Sequence, residues 1–201
     1  GIQASTGCTV IGVTMNLPNF ENVGIANDFT GIYVQSPDLR TTVTNVDVNG
    51  CDIGMNLQGS CTAYNVNATS ITRAGIVASS GPIKIDTCSL QLNPLIEECS
   101  GILLETGFMS LFGTTISNCS ATCLTLGLIT SQGIAATGTG VATCISSCVV
   151  DGFPTGIHGD ITQTHVNAIG NIIRHPTTPQ ITLLAPTSNA SNNIFIIPVI
   201  P

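Results

Sequence analysis

Apolar residues in this chain recur in pairs two positions apart behind a glycine, and the phrase returns at a near-constant interval. It reads Gly31-Ile32-Tyr33-Val34, Gly54-Met55-Asn56-Leu57, Gly75-Ile76-Val77-Ala78, Gly101-Ile102-Leu103-Leu104 and Gly156-Ile157-His158-Gly159. A weaker copy opens the chain at Gly1-Ile2-Gln3-Ala4 and another closes it at Gln180-Ile181-Thr182-Leu183. The middle steps are 23, 21 and 26 residues. A repeat of that length marks a solenoid, propeller or array, in which no single unit can bury its own apolar face.

Each unit continues with a second alternating run, such as Thr42-Val43-Thr44-Asn45-Val46-Asp47-Val48 or Ile83-Lys84-Ile85-Asp86-Thr87-Cys88-Ser89-Leu90. Period-two alternation rich in Val, Ile and Thr predicts strands, and no stretch holds a helical period over three turns. A polar mark then recurs, as in Val48-Asn49-Gly50-Cys51, Ala68-Thr69-Ser70-Ile71, Leu92-Asn93-Pro94-Leu95, Ile116-Ser117-Asn118-Cys119, Val150-Asp151-Gly152-Phe153 and, near the start, Met15-Asn16-Leu17. Asn, Asp, Ser and Thr suit a tight bend because they tolerate left-handed backbone and bond to it locally. Set at one level in successive coils, they can also bond one another as a ladder. This alignment puts Cys51 and Cys119 at the same level.

The coil of about 22 residues, its Gly-apolar-x-apolar strand, its Asn-rich bend and its Ile, Val and Cys positions together resemble the right-handed parallel β-helix repeat of the pectin-lyase-like superfamily. The resemblance covers 1–173. It implies an all-β solenoid of about seven to eight coils, with 1–174 as the β-helix and 175–201 as an irregular C-terminal tail that caps it or docks on another subunit. The tail is read from His175-Pro176-Thr177-Thr178-Pro179 and the apolar run from Ile194 to Ile200, since Pro breaks ladders. Because the first residues already carry the repeat, the chain is expected to be a fragment of a longer polypeptide or a module covered by other chains. Two competing starts for one unit, Cys123 and Gly133, put an insertion within 127–140.

Only 7% of residues are charged and the mean hydropathy is +0.44, against about 25% charged in an average domain. Four basic residues in a chain of net charge −7 argue against nucleic acid, whose binding rests on Lys and Arg. No apolar run reaches the roughly 18 residues of a membrane-spanning helix, and no leader pattern is visible. Nine cysteines lack any Cys-x-x-Cys pair. Most are read as small buried hydrophobes, with two or three disulfides between coils as the alternative in a secreted protein. Neither a metal nor a cofactor is expected.

With the apolar positions of the glycine phrase facing in, one outward column reads Tyr33, Asn56, Val77, Leu103, Ala135 and His158. Beside it runs Gln35, Gln58, Ser79, Glu105, Thr137 and Asp160. The superfamily resemblance implies saccharide binding along such a face, which makes Glu105, Asp160 and His158 the candidate acid/base residues. Two coil spacings would separate the carboxylates by about 10 Å, at or beyond the roughly 6.5–9.5 Å of inverting glycoside hydrolases. The stretch Gly156-Ile157-His158-Gly159-Asp160 only faintly resembles the Gly-His-Gly of polygalacturonases, whose paired aspartates are missing, and the chain has no Trp and two Tyr. His165 and His175 are expected on the surface or at a bend. Asn67, Asn118 and Asn189 each open an Asn-x-Ser/Thr sequon.

An outward apolar stripe at Val77 and Leu103 on a weakly charged rod points to an interface. The leading expectation is therefore a structural module of an oligomeric, preferentially trimeric, spike or fibre, extracellular on a virion or cell surface. A polysaccharide-binding or polysaccharide-degrading β-helix is the alternative, and an adhesin or passenger domain a third.

Overall fold

In the computed structural model, strand pairing follows the glycine phrase from coil to coil. The structure describes residues 2–4, 9–16, 30–94, 98–105, 112–124, 130–137, 142–160, 165–175, 180–184 and 187–197. Among these residues there is no helix, and every strand pairs in parallel with its neighbours along the axis. The chain is a parallel β-helix. Parallel register lets each coil satisfy the backbone of the coils before and after it, which a single coil could not do.

Each coil has three faces. On the first, Ile2, Ile32, Met55, Ile76, Ile102, Ile134, Ile157 and Ile181 stand in one register through eight coils. The second carries Val10, Val43, Ala63, Ile85, Ile116, Ile145, Ala168 and Ala190. The third carries Val48, Ala68, Leu90, Ala121, Val150, Ile173 and Phe195. The inward members of these columns form one continuous buried core.

The glycine of the phrase is required by a close approach across that core. A Cβ on Gly101 would lie 2.4 Å from the Gly133 carbonyl oxygen and 2.5 Å from the Ala121 Cβ, and one on Gly133 would lie 2.0 Å from the Val150 Cγ1. First and third faces therefore pack backbone to side chain, and only glycine leaves the room.

The bend between the second and third faces has left-handed backbone in every coil: Gly12, Asn45, Asn65, Thr87, Asn118, Ser147, Gly170 and Asn192 all have φ between 52° and 65°. The residue after each one turns inward. That column reads Val46, Val66, Cys88, Cys119, Cys148 and Asn171, all buried. The polar mark read from sequence merged two corners. Asn118-Cys119 belongs to this bend, whereas Asn49, Thr69 and Asp151 pair on the third face. Cys119 consequently stacks with Cys88 and Cys148, not with Cys51.

Pairing runs on past Arg174. Ile181–Leu183, Asn189–Ser191 and Ile194–Ile196 lie parallel to Thr155–Gly159, His165–Ile169 and Ile172–Arg174 and form an eighth coil. The proline-marked stretch 176–179, the last residues 198–201, Cys8 and the two ends of the expected insertion, 127–129 and 138–140, lie outside the described residues.

Candidate functional site

The first face sets out the columns in which the candidate acids lie. Tyr33, Asn56, Val77 and Leu103 are in register, and so are Leu103, Ala135, His158 and Thr182. One step further on, Glu105, Thr137 and Asp160 leave their strands with N–H groups donating to the carbonyls of Ala78, Leu104 and Ala136, each at 2.9 Å. The column was read correctly from Glu105 onward. Earlier it slips by one, because a bulge after Leu57 puts Gln58 opposite Ser80 instead of Ser79.

The two carboxylates are therefore two coils apart, about 10 Å, with Thr137 between them. Glu105 is exposed and Asp160 half-buried. The Thr137 hydroxyl donates to the Leu104 carbonyl at 3.3 Å. His158 lies in the adjoining column, half-buried, one coil beyond the fully buried Ala135. The row offers oxygen acceptors along the axis, which suits binding of hydroxyl groups better than acid/base chemistry across a single bond. Among the described residues no group of three or more His, Cys, Asp or Glu is placed to hold a metal ion.

The outward apolar stripe is corrected. Val77 is only 6% exposed, and it packs with Ile53, Ala74 and the partly buried Leu103 in a cluster separate from the main core. Ala135, in the same column, is fully buried. Val77 is thus already covered by its neighbours, and Leu103 is partly so. Apolar exposure concentrates instead on the last described coil, where Ile194, Phe195 and Ile197 are 55%, 49% and 57% exposed and Leu184 is also exposed.

His175 lies at a bend, one of the two places expected for it, and not on the surface. It follows Arg174, the partner of Asp151, and is buried at the third corner, where desolvation holds its imidazole below the usual value. His165 is half-buried, with Nε2 2.8 Å from the Asn167 Nδ2.

Side-chain ladders that sequence reasoning expected only in outline run along the exterior. Between the second and third coils Asn65 Nδ2 donates to Asn45 Oδ1 at 2.8 Å, Asn67 Nδ2 to Asp47 Oδ1 at 3.1 Å and Thr69 Oγ1 to Asn49 Oδ1 at 3.1 Å. Asp86 accepts from Ser117 Oγ and Asn118 Nδ2, both at 3.0 Å, with Lys84 at 3.6 Å. Those bonds, Asn118 foremost, hold its carboxyl below the usual range. All three sequon asparagines are exposed, and Asn67 and Asn118 already use their amide nitrogens in these ladders.

Among the described residues seven cysteines are buried and Cys144 is half-buried. Burial pushes the Cys51 and Cys61 thiols up to about 11. Cys88, Cys119 and Cys148 donate to the carbonyls of Asp86, Ser117 and Ser146 at 3.4, 3.1 and 3.3 Å. Hydrogen bonding with Cys119 and burial push the Cys88 and Cys148 thiols up. Comparison with protein-family models, with curated proteins and with solved structures finds no match for this chain.

Proposed function

We propose that this chain is a structural β-helical rod of the pectin-lyase-like type, part of a homotrimeric spike or fibre on a virion or cell surface. The observation that carries the reading is the apolar surface of the last coil, formed by Leu184, Ile194, Phe195, Ile196 and Ile197. Exposed large apolar side chains on a chain with only 7% charged residues favour association over solvation. The coil-to-coil ladders support the same reading, since they stiffen the rod without offering a cleft. Light scattering at low micromolar concentration, with and without reductant, tests it. A trimer in both conditions that dissociates in Phe195→Asp is the expected result, and a monodisperse monomer overturns it.

The register of Glu105, Thr137 and Asp160 favours a second reading, recognition of a polysaccharide along the first face. Under it, Glu105→Gln together with Asp160→Asn abolishes glycan binding or depolymerisation while the fold is retained.

A further inference from the structure

Corner connections lengthen abruptly in the middle of the rod. Between Ile53–Ile71 and Ala74–Ser80 the third corner takes only 72–73, but the next two corners take 93–99 and 124–131. Cys99 is the last residue of the first long connection, and Cys123 is the residue from which the second departs. Both thiols are buried, at 2% and 6% exposure, and their sulfurs lie 3.8 Å apart.

Backbone bonds fix both positions. The Cys99 N–H donates to Ser131 Oγ at 3.1 Å, its carbonyl accepts from the Gln132 N–H at 2.9 Å, and the Ser100 N–H donates to the Arg73 carbonyl at 2.8 Å. Cys123 is registered against Leu92, and the Leu124 N–H donates to the Leu92 carbonyl at 2.9 Å. The sulfur contact is therefore set by laddered backbone on two elements.

We propose that Cys99 and Cys123 form an oxidative modification site, closing a disulfide that ties the two long corner connections together. Bonded sulfurs lie about 2.05 Å apart, so side-chain rotation within the packed corner must bring the pair under 2 Å closer. With a small disulfide as oxidant, the more exposed Cys123 thiolate attacks one oxidant sulfur and releases one thiol. The Cys99 thiolate then attacks the Cys123 sulfur of the mixed disulfide and releases the second. Two protons leave the cysteines with the two released thiols, and the oxidant is reduced by two electrons. The Cys123 contact and burial push the Cys99 thiol up, so exchange proceeds while the corner is open, during folding or a local opening.

The test is to refold the full chain with oxidised glutathione, quench with acid, alkylate in denaturant and map the peptides without reduction. The expected result is a linked Cys99–Cys123 peptide, about 2 Da lighter than its two reduced parts. Tm should rise by about 5–10 °C on oxidation, a rise that disappears in Cys99→Ser. Serine stands at the equivalent place in the next coil, Ser131. Should that variant not fold, the map of the unaltered chain decides alone. Alkylation of both Cys99 and Cys123 after oxidation, or sulfur bonds confined to other cysteines, overturns the proposal.

Discussion

The backbone N–H of Cys148 donates to Oδ1 of Asn171 at 2.9 Å, across the gap between two coils, while the amide nitrogen of Asn171 donates to the Ile145 carbonyl at 3.1 Å. Asn193 repeats both bonds one coil on, accepting from the Asn171 N–H at 2.9 Å and donating to the Ala168 carbonyl at 2.9 Å. In the preceding coils a thiol does the amide's work. The sulfurs of Cys88, Cys119 and Cys148 face the backbone N–H groups of Val66, Cys88 and Cys119 and lie 4.0, 3.8 and 3.9 Å from the carbonyls of Ala63, Ile85 and Ile116.

This equivalence makes a directional prediction. Asn171→Leu strands a buried N–H and a buried carbonyl and should cost about 2–4 kcal/mol. Asn171→Cys restores a weak donor and acceptor of the kind used by the three coils before it, and should cost less than half as much. Urea denaturation of both variants checks the order. Equal losses would mean that the column needs volume and not polarity.

The glycine phrase separates two kinds of glycine. Gly101→Ala forces a methyl against the Gly133 carbonyl and the Ala121 side chain, so a loss of about 3 kcal/mol or more is expected. Gly170 has φ +65° and open space around its Cβ position. Its column neighbours Ser147 and Asn192 hold the same left-handed backbone, so Gly170→Asn should leave stability within about 0.5 kcal/mol. Thermal melts of the pair distinguish packing from backbone conformation as the reason for each glycine.

The same contrast explains what the sequence revealed. Gly31 through Gly156 were legible as a repeat because the clearance above them admits no other residue, so the constraint is written in one letter. The bends were half legible. Asn45, Asn65 and Asn118 announce a left-handed position, but Asn49, Thr69 and Asp151 at the next corner use the same small polar residues, and the two corners were read as one. The thiol column was hidden by that merger. Burial of Val77 was not legible, since what packs outside a strand is set by tertiary contacts with Ile53, Ala74 and Leu103. His175 reads as a lone polar residue until its coil is known.

Acid should weaken the rod in two steps. His175 is held below its ordinary value of 6.5 by burial. The unfolded chain then takes the proton first, so its contribution is whole above 6.5 and is lost as pH falls toward the lower folded value. Asp86 is held below 3.8, chiefly by Asn118; its contribution is whole above 3.8 and is lost as pH falls through the folded value. His175→Phe should remove the first step and Asp86→Asn the second, as read by denaturation midpoints between pH 7.5 and 2.5. A first step that persists in His175→Phe would assign it elsewhere.

Two threonines on the second face should be better as valine. Thr114 and Thr143 are directly paired in neighbouring coils and are 1% and 2% exposed, and their hydroxyls have no hydrogen-bond partner among the described residues. An unsatisfied buried hydroxyl costs about 1–3 kcal/mol. Next in the column on one side stands Val166, registered with Thr143, and on the other Ile83, just before Lys84, the partner of Thr115. The site thus already accepts branched apolar side chains. Thr114→Val and Thr143→Val keep the shape and remove the orphaned oxygen, so each should raise stability by about 0.5–1.5 kcal/mol, and the double variant by close to the sum unless the two hydroxyls share a water. Denaturant midpoints of the two single variants and the double decide this. A loss in both single variants would show that the hydroxyls are satisfied in solution by a water bridging the pair, and the double variant would then lose less than the sum.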